Sequence, residues 1–537
     1  MSSLAFPGVR ARAASGSPSG EVTTGVIAPA AIADPQHPPT TSSRTGPVQA
    51  VVKGVRRIPV QPFSGPTSGV PVADPTALQA SGPGQLKHDF NGVSSLDSEV
   101  TNFNAEFEPP DQGLCVGNGF VVEPVNSAFT IYRADGTVVL GALNVNVLFA
   151  EGPTEFTSDP RCYFDGPTHT WFAVILFIDS SNTSARTDIA VNHSGDPTTP
   201  WTVYHLDATD NGRNGTPSHH GCPCFGDQPL LGIDGQNLYV STNEFSILGP
   251  QFNAAQIYAI AKSELTASQP AHFVHFAKLT VGGTAATIVQ PAISHPGADA
   301  EYFLNSIDLF GKGDNRVGVW AITNREAVSD GGIPTLSNIV ITTESYGPPP
   351  GAAQKGSTSQ LDSGDDRMQQ VQFIQGELWG ALGTVVTPRN DPKPRAGIAW
   401  FRIQPTIIDD QISGAALVGE GYVAAGGNYL LYPAIQASRS GTVAMVMTLS
   451  GHDFYPSAAY VVGSTSQNGF GPIKIAASGT GPYDPSATRW GDYSAAAFDP
   501  GGKSIWFATE YIPPVASQTT DGRRNWGTRV FAVDAQQ

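Results

Sequence analysis

Two stretches decide the fold: DQPLLGIDGQNLYVSTNEF at residues 227–245 and DYSAAAFDPGGKSIWFATEY at residues 492–511. Each has a polar start, an apolar run, a turn built from Gly, Asp, Asn or Pro, and a second apolar run. That order is the signature of a β-hairpin. Working outward, similar units start at Pro110-Asp111-Gln112, Ser158-Asp159-Pro160, Gly226-Asp227-Gln228 and Gln290-Pro291-Ala292. Three more start at Asp365-Asp366-Arg367, Tyr432-Pro433-Ala434 and Gly491-Asp492-Tyr493, so the starts lie 48 to 76 residues apart. A third strand is readable in most units (256–260, 317–322, 397–403, 458–462, 530–533) and a fourth in several (201–206, 272–279, 339–345). Four strands in each of seven units predict an all-β, seven-bladed β-propeller. A large β-sandwich gives no reason for seven similar hairpins. The last unit runs out after its third strand near Val533. An open edge there invites aggregation, so an outer strand is expected from residues 86–93 or 48–55. The expected organisation is a flexible Ala/Pro/Gly/Ser-rich leader over 1–85 and the propeller over 86–537.

Composition supports this reading. Gly (59) and Pro (44) make up about a fifth of the 537 residues, and charged residues only 14%. Long surface helices need far more Glu, Lys and Arg, so they are excluded. At 40% hydrophobic the chain has material for a large core, which excludes global disorder. No run of 18 apolar residues occurs, so no segment reads as a membrane span. The net charge of −17 excludes nucleic acid as a partner. Four cysteines in a Lys-poor chain fit an oxidising compartment. A secreted, extracellular monomer is expected, although residues 1–20 lack the apolar segment of a signal peptide.

In a propeller the first strands line a central channel and their polar starts converge at one mouth. Asp111, Asp159, Asp227, Asp366 and Asp492 are therefore expected around one axis. Second-strand ends add Asn126, Asn243, Glu244, Asn305 and Glu510. So many carboxylates need arginines, donors or a cation to stay ionised. Arg161, Arg367 and Arg489 stand beside them in sequence, as clamps for a carboxylated ligand or as staples between blades. Tyr432, Tyr455, Trp490 and Tyr493, with His452, add the aromatic faces that a sugar cleft uses. Asp159, Asp227, Glu244, Glu510 and Tyr455 are the candidate catalytic groups. Asp111, Arg161, Asp366, Arg367, His452, Arg489, Trp490 and Asp492 are the candidate binding groups. Hydrolysis needs two carboxyl groups and a lyase needs a base with a neutralised uronate; these residue types allow either. No cofactor is required, and a Ca2+ at the mouth is the one ion the carboxylates invite.

The segment His219-His220-Gly221-Cys222-Pro223-Cys224 holds four N/S groups that suit zinc or copper. The C-x-C spacing with an intervening Pro is awkward for one ion, so disulfides are the favoured reading. Cys115 and Cys162 lie close to the starts of adjacent blades, and three pairings are open. The loop Asp207–Gly215 is rich in oxygen donors yet lacks the spacing of a calcium loop.

Phe107-Glu108-Pro109-Pro110-Asp111, Val116-Gly117-Asn118, Val125-Asn126-Ser127, Gly226-Asp227-Gln228-Pro229, Ser241-Thr242-Asn243-Glu244-Phe245 and Arg489-Trp490-Gly491-Asp492-Tyr493-Ser494 resemble the motifs of a family of secreted bacterial β-propeller proteins. The resemblance covers residues 88–537 and implies fold and export. The arginines also resemble those of sialidases, six-bladed propellers with an arginine triad. Departures are plain: the S-x-D-x-G-x-x-W box is missing, and its nearest segments, 165–171 and 499–506, fall in first hairpin turns. The expected function is recognition of an extracellular, anionic glycan at the mouth, with or without cleavage. A non-catalytic surface or matrix interaction module is the alternative.

Overall fold

The computed structural model describes residues 18–38, 84–102, 107–153, 155–294, 297–308, 311–389, 391–467, 469–483, 489–520 and 524–536. The described residues are overwhelmingly β, arranged as successive antiparallel runs. Cys115–Gly117, Phe120–Val125, Ala128–Arg133 and Val138–Asn144 form one four-stranded sheet. Phe156–Asp165, Thr170–Ile178, Ala185–Asn192 and Trp201–Asp207 follow in the same antiparallel order. Cys224–Ile233 starts a third run, Gln290–Ser294 a fourth and Met368–Ile374 a fifth. These three merge into a fourteen-stranded sheet through parallel contacts of Gln290–Ser294 with both neighbours. Asn428–Ala437 starts a four-stranded sheet, and Ala495–Phe498 starts the last.

Both deciding stretches form the hairpins their patterns predict. Asp227 pairs with Asn243, and Ala496 with Phe507. The second hairpin turns on DPGG: Gly501 N–H donates to Asp499 Oδ1 (3.0 Å), and Gly502 takes φ +77, where a Cβ would be strained.

The strand missing from the last run is supplied by Leu86–Ser94, which pairs antiparallel with Gly527–Asp534. The other candidate donor, 48–55, lies outside the described residues. Part of the expected leader forms strands: Ser19–Ile27 pairs with Ala271–Val281, and Pro29–Ala33 with Trp201–Asp207. Glu21-Val22-Thr23-Thr24 alternates too weakly to read as a strand alone; the exposed edges of those sheets supply its hydrogen bonds.

The core lies between consecutive runs. Leu231, Val240 and Tyr258 pack on Phe172, Val174 and Ile189; Leu304 and Val319 pack with Leu382 and Phe401. Trp506, Ala508 and Val530 of the last sheet pack in one cluster with Val116, Val121 and Tyr132 of the first.

All four cysteines are paired as disulfides, Cys115–Cys162 and Cys222–Cys224. The disulfide reading holds, the cysteine-metal alternative does not, and the disulfides point to a compartment other than the cytoplasm. Cys115–Cys162 joins the first two runs across 47 residues, for which loop-closure entropy gives a stabilisation of about 4 kcal/mol. Replacing both cysteines by Ala is expected to lower the unfolding free energy by about 2–4 kcal/mol in urea titration. An unchanged midpoint would contradict this.

Candidate functional site

A cavity of about 750 Å3 runs between the first strands. Every run contributes to its wall: Leu114, Arg161, Leu231, Gln290, Gln370, Gln436 and Ala496 come from successive runs. Glutamines bridge these strands. The Gln370 amide donates to Ala496 O (2.6 Å) and accepts from Ala496 N–H (2.9 Å).

At one end lies a cluster that the sequence brings together from distant starts. Asp111 (φ +46), Asp159 (φ +62) and Gln228 (φ +51) adopt the left-handed conformation, and register shifts follow Ser158 and Asp227. Such bulges re-aim side chains at strand starts, and Asp tolerates this backbone better than most residues. Asp111 Oδ2 accepts from Asn126 Nδ2 (2.8 Å) and Oδ1 from Asp492 N–H (2.8 Å). Asn126 Oδ1 accepts from Asp159 N–H (2.7 Å). Asp111 and Asn126 therefore staple the first, second and last runs. Burial pushes the Asp111 carboxyl well above the usual range; the Asp492 and Asp159 charges add to this and Arg489 opposes it.

The three arginines differ in what holds them. Arg489 donates through Nη2 to Asp492. Arg367 grips Asp365 through two hydrogen bonds of 2.6 Å, donates to Gln228, and lies in the field of Asp492 and Asp227. Arg161 stacks on the Tyr493 ring, 3.3 Å from its centroid. Its guanidinium donates no hydrogen bond to any described residue, and its Nε is buried. Burial lowers the Arg161 pKa, opposed by Tyr493, Asp111, Asp159 and Asp492. Arg161 lines the cavity, with the Tyr493 ring against it.

Other expected groups go elsewhere. Glu510 stays within the field of Asp111 and Asp492, but it is buried, neither oxygen has a hydrogen-bond partner among the described residues, and Gly491 lies against it. Burial, then Asp111 and Asp492, raise its pKa well above the usual range. Asp366 is buried, its carboxyl raised by burial and then by Asp308 and Asp365. Trp490 is 0% exposed, donates to Thr448 Oγ1 (3.3 Å) and packs edge-on against Tyr483, so its ring has no face for a ligand. Tyr432 is buried, and its hydroxyl donates to Asp362 O. Tyr455 is half-buried near Lys355, and His452 is exposed; neither lines the cavity. Asn305 is used internally by Trp320 and Ser306 O. Asn243 accepts from Ile288 N–H (3.0 Å).

Glu244 turns away from this cluster, toward the loop before Cys224. His219 Nδ1 lies 2.8 and 2.9 Å from its two oxygens. Burial and the Glu244 charge push the neighbouring Asp210 up to about 9. In the same loop Asp207 accepts from Thr209 N–H and Asn214 Nδ2, an internally bonded turn rather than a calcium loop.

Two cavity cations were not anticipated. Lys262 pairs with Asp165 (3.2 Å), and exposed Arg439, in the turn after Asn428–Ala437, lines the wall. Lys262 opens the short helix Lys262–Thr266 and Arg439 sits in a turn, so neither position carries the repeat signal of a strand start.

No protein-family model matches the chain, and no curated protein matches it. Solved structures resemble it loosely. The phage phi92 endosialidase aligns with a TM-score of 0.38 at 9% identity, covering 70% of this chain and 66% of its own. A Trypanosoma rangeli sialidase, solved with the inhibitor DANA, gives 0.34 at 8%, covering 79% and 58%. Drosophila Plexin A, solved with Semaphorin 1b, gives 0.35 at 7%, covering 84% and 88%. The chain thus spans about two thirds of the endosialidase and less of the sialidase. Likeness at this level carries no function to this chain.

Proposed function

We propose that the successive runs are the seven blades of a β-propeller, closed by packing of the last sheet on the first, and that the protein is a secreted binder of a carboxylate-bearing glycan at the end of its central cavity. One observation carries the ligand class. In a chain of net charge −17, the cavity presents Arg161 without a hydrogen-bonded counter-charge, stacked on Tyr493. A guanidinium held flat on a ring leaves its fork free to grip a carboxylate. Arg439 on the same cavity wall adds a second positive group. Asp111, Asp159, Asp227, Asp492, Arg367 and Arg489 act mainly as the frame that aims Arg161.

Binding is favoured over cleavage because Glu510 is sealed beneath Gly491 and Glu244 is engaged by His219. A hydrolase needs two carboxyl groups facing the bond. The two carboxylates on the cavity wall, Asp165 and Asp234, are instead tied to Lys262 (3.2 Å) and Arg325 (2.6 Å). The test is a screen of uronate-rich and neutral polysaccharides, reading binding, reducing ends and unsaturated products together. Retention on uronate polymers without products is expected. Equal retention on neutral polymers would refute the anionic ligand, and product release would move the assignment to an enzyme.

A further inference from the structure

We propose that Asp210, His219 and Glu244 form a binding site for a divalent transition-metal ion of the Zn2+ type, apart from the cavity. One nitrogen and two carboxylates come together there, with donor atoms within 4.8 Å of one another. All three side chains are buried: Asp210 is 0%, Glu244 1% and His219 6% exposed.

The orientation of the imidazole is the first argument. His219 Nε2 lies 3.2 Å from Glu21 Oε2, which in turn pairs with Lys278 Nζ (3.0 Å). If Nε2–H donates to Glu21, the Nδ1 lone pair points at Glu244. A carboxylate behind an imidazole is the usual outer partner of a metal-binding histidine, because it fixes the tautomer and raises basicity. Lone pairs on Nδ1 and Glu244 at 2.8 Å repel each other unless a proton or a metal ion lies between them.

The second argument is Asp210. Its Oδ2 lies 3.7 Å from His219 Nδ1, yet neither carboxylate oxygen has a hydrogen-bond partner among the described residues. The Gln256 amide nitrogen and the Tyr258 hydroxyl, the latter within the field of Asp210 and Glu244, are also buried without hydrogen-bond partners among the described residues. Buried polar groups are almost always satisfied, so such a concentration points to a missing occupant. Bonds of about 2.0–2.2 Å to N and O place donors roughly 3.0–3.5 Å apart, which a modest turn of the Asp210 carboxylate provides.

Charge points the same way. A divalent cation with two carboxylates and a neutral imidazole is balanced, and Glu21 with Lys278 is balanced beside it. The imidazole selects a borderline transition ion, since Ca2+ prefers six to eight oxygens. Cys222 Sγ lies 3.4 Å from Glu244 Oε1, but the Cys222–Cys224 disulfide keeps sulfur out of the ligand set.

The test uses the full chain, stripped with chelator and with its disulfides intact. Equilibrium dialysis against Zn2+, Mn2+ or Ca2+ alone is read by elemental analysis, and Co2+ binding by visible absorption. One Zn2+ per chain is expected. Asp210→Asn and His219→Gln should weaken binding at least 100-fold, and Glu21→Gln by roughly 10- to 100-fold. Should His219→Gln fail to fold, Asp210→Asn and the wild-type Co2+ spectrum decide the matter. No Zn2+ on the folded wild type, unchanged affinity in Asp210→Asn, binding of Ca2+ alone, or binding only after reduction would each overturn the site.

Discussion

Arg161→Met is expected to weaken binding of a carboxylated oligosaccharide by roughly 30- to 4000-fold. Removing one partner of a desolvated charge pair costs about 2–5 kcal/mol, and each 1.4 kcal/mol is about tenfold. Methionine is chosen because its unbranched side chain still covers the Tyr493 ring and leaves no large void. The fold should survive, because the guanidinium donates no hydrogen bond to described residues. Its loss removes a positive neighbour from Asp111, whose carboxyl is already shifted upward by burial and then by Asp492 and Asp159. Asp111 then takes up its proton more readily, which relieves the repulsion. Arg161→Lys should fall between wild type and Arg161→Met, since an ammonium keeps the charge but loses the fork. Calorimetric titration, with circular dichroism as the control for folding, reads this directly. Wild-type affinity in Arg161→Met would remove Arg161 from the ligand site.

Glu123→Gln is expected to stabilise the protein by about 3 kcal/mol at pH 8.5 and by little at pH 4.5. Glu123 belongs to Phe120–Val125 and is 0% exposed beneath the closing strand Leu86–Ser94. Its Oε2 accepts from Val93 N–H (2.9 Å) and the Tyr132 hydroxyl (3.3 Å), while Oε1 has no hydrogen-bond partner among the described residues. Burial pushes this carboxyl up to about 7. Thr528, Val93 and Tyr132 oppose the shift through hydrogen bonds, and the Asp97 charge adds to it. Because the folded value lies above the unfolded one, the contribution is fully present below about pH 4.5. It is lost as pH rises through about 7. Above that pH the ionised form costs the fold about 3 kcal/mol. Glutamine keeps the shape without the charge, so urea denaturation should lose that part of its pH slope. An identical slope in wild type and variant would contradict the buried, neutral carboxyl.

These two residues show what the sequence can and cannot disclose. Hairpins such as 227–245 were legible because side-chain alternation and turn chemistry are local. The closing strand was legible because an unpaired last run needs an edge partner. Asp111, Asp159, Asp492 and Arg161 were legible as a cluster because equivalent strand starts must converge when runs repeat around a common cavity. Glu244 and Trp490 share that repeat logic and were still misplaced. Period-two alternation gives a residue's face but says nothing about which distant loop covers it. The loop carrying Asp210 and His219 arrives from the preceding run and captures Glu244, while Tyr483 and Thr448 enclose Trp490. Glu123 was invisible for a related reason, since its burial depends on a strand about 30 residues upstream that completes the opposite end of the repeat.

The charge pattern gains a sharper meaning from this arrangement. Much of the acidic charge at the strand starts is used internally: Asp111 ties the first run to the last through Asp492 N–H and to Asn126, while Arg489 and Arg367 hold Asp492 and Asp365 beside them in the chain. What it leaves open at the cavity is a positive group on an aromatic ring.

The most direct test of that claim compares one polyuronate with its carboxyl-reduced form, matched in length and linkage, by calorimetric titration against the wild-type protein. The account predicts saturable binding of the native polymer that weakens with salt, and binding at least 30-fold weaker after carboxyl reduction. Equal affinity for both polymers would contradict it.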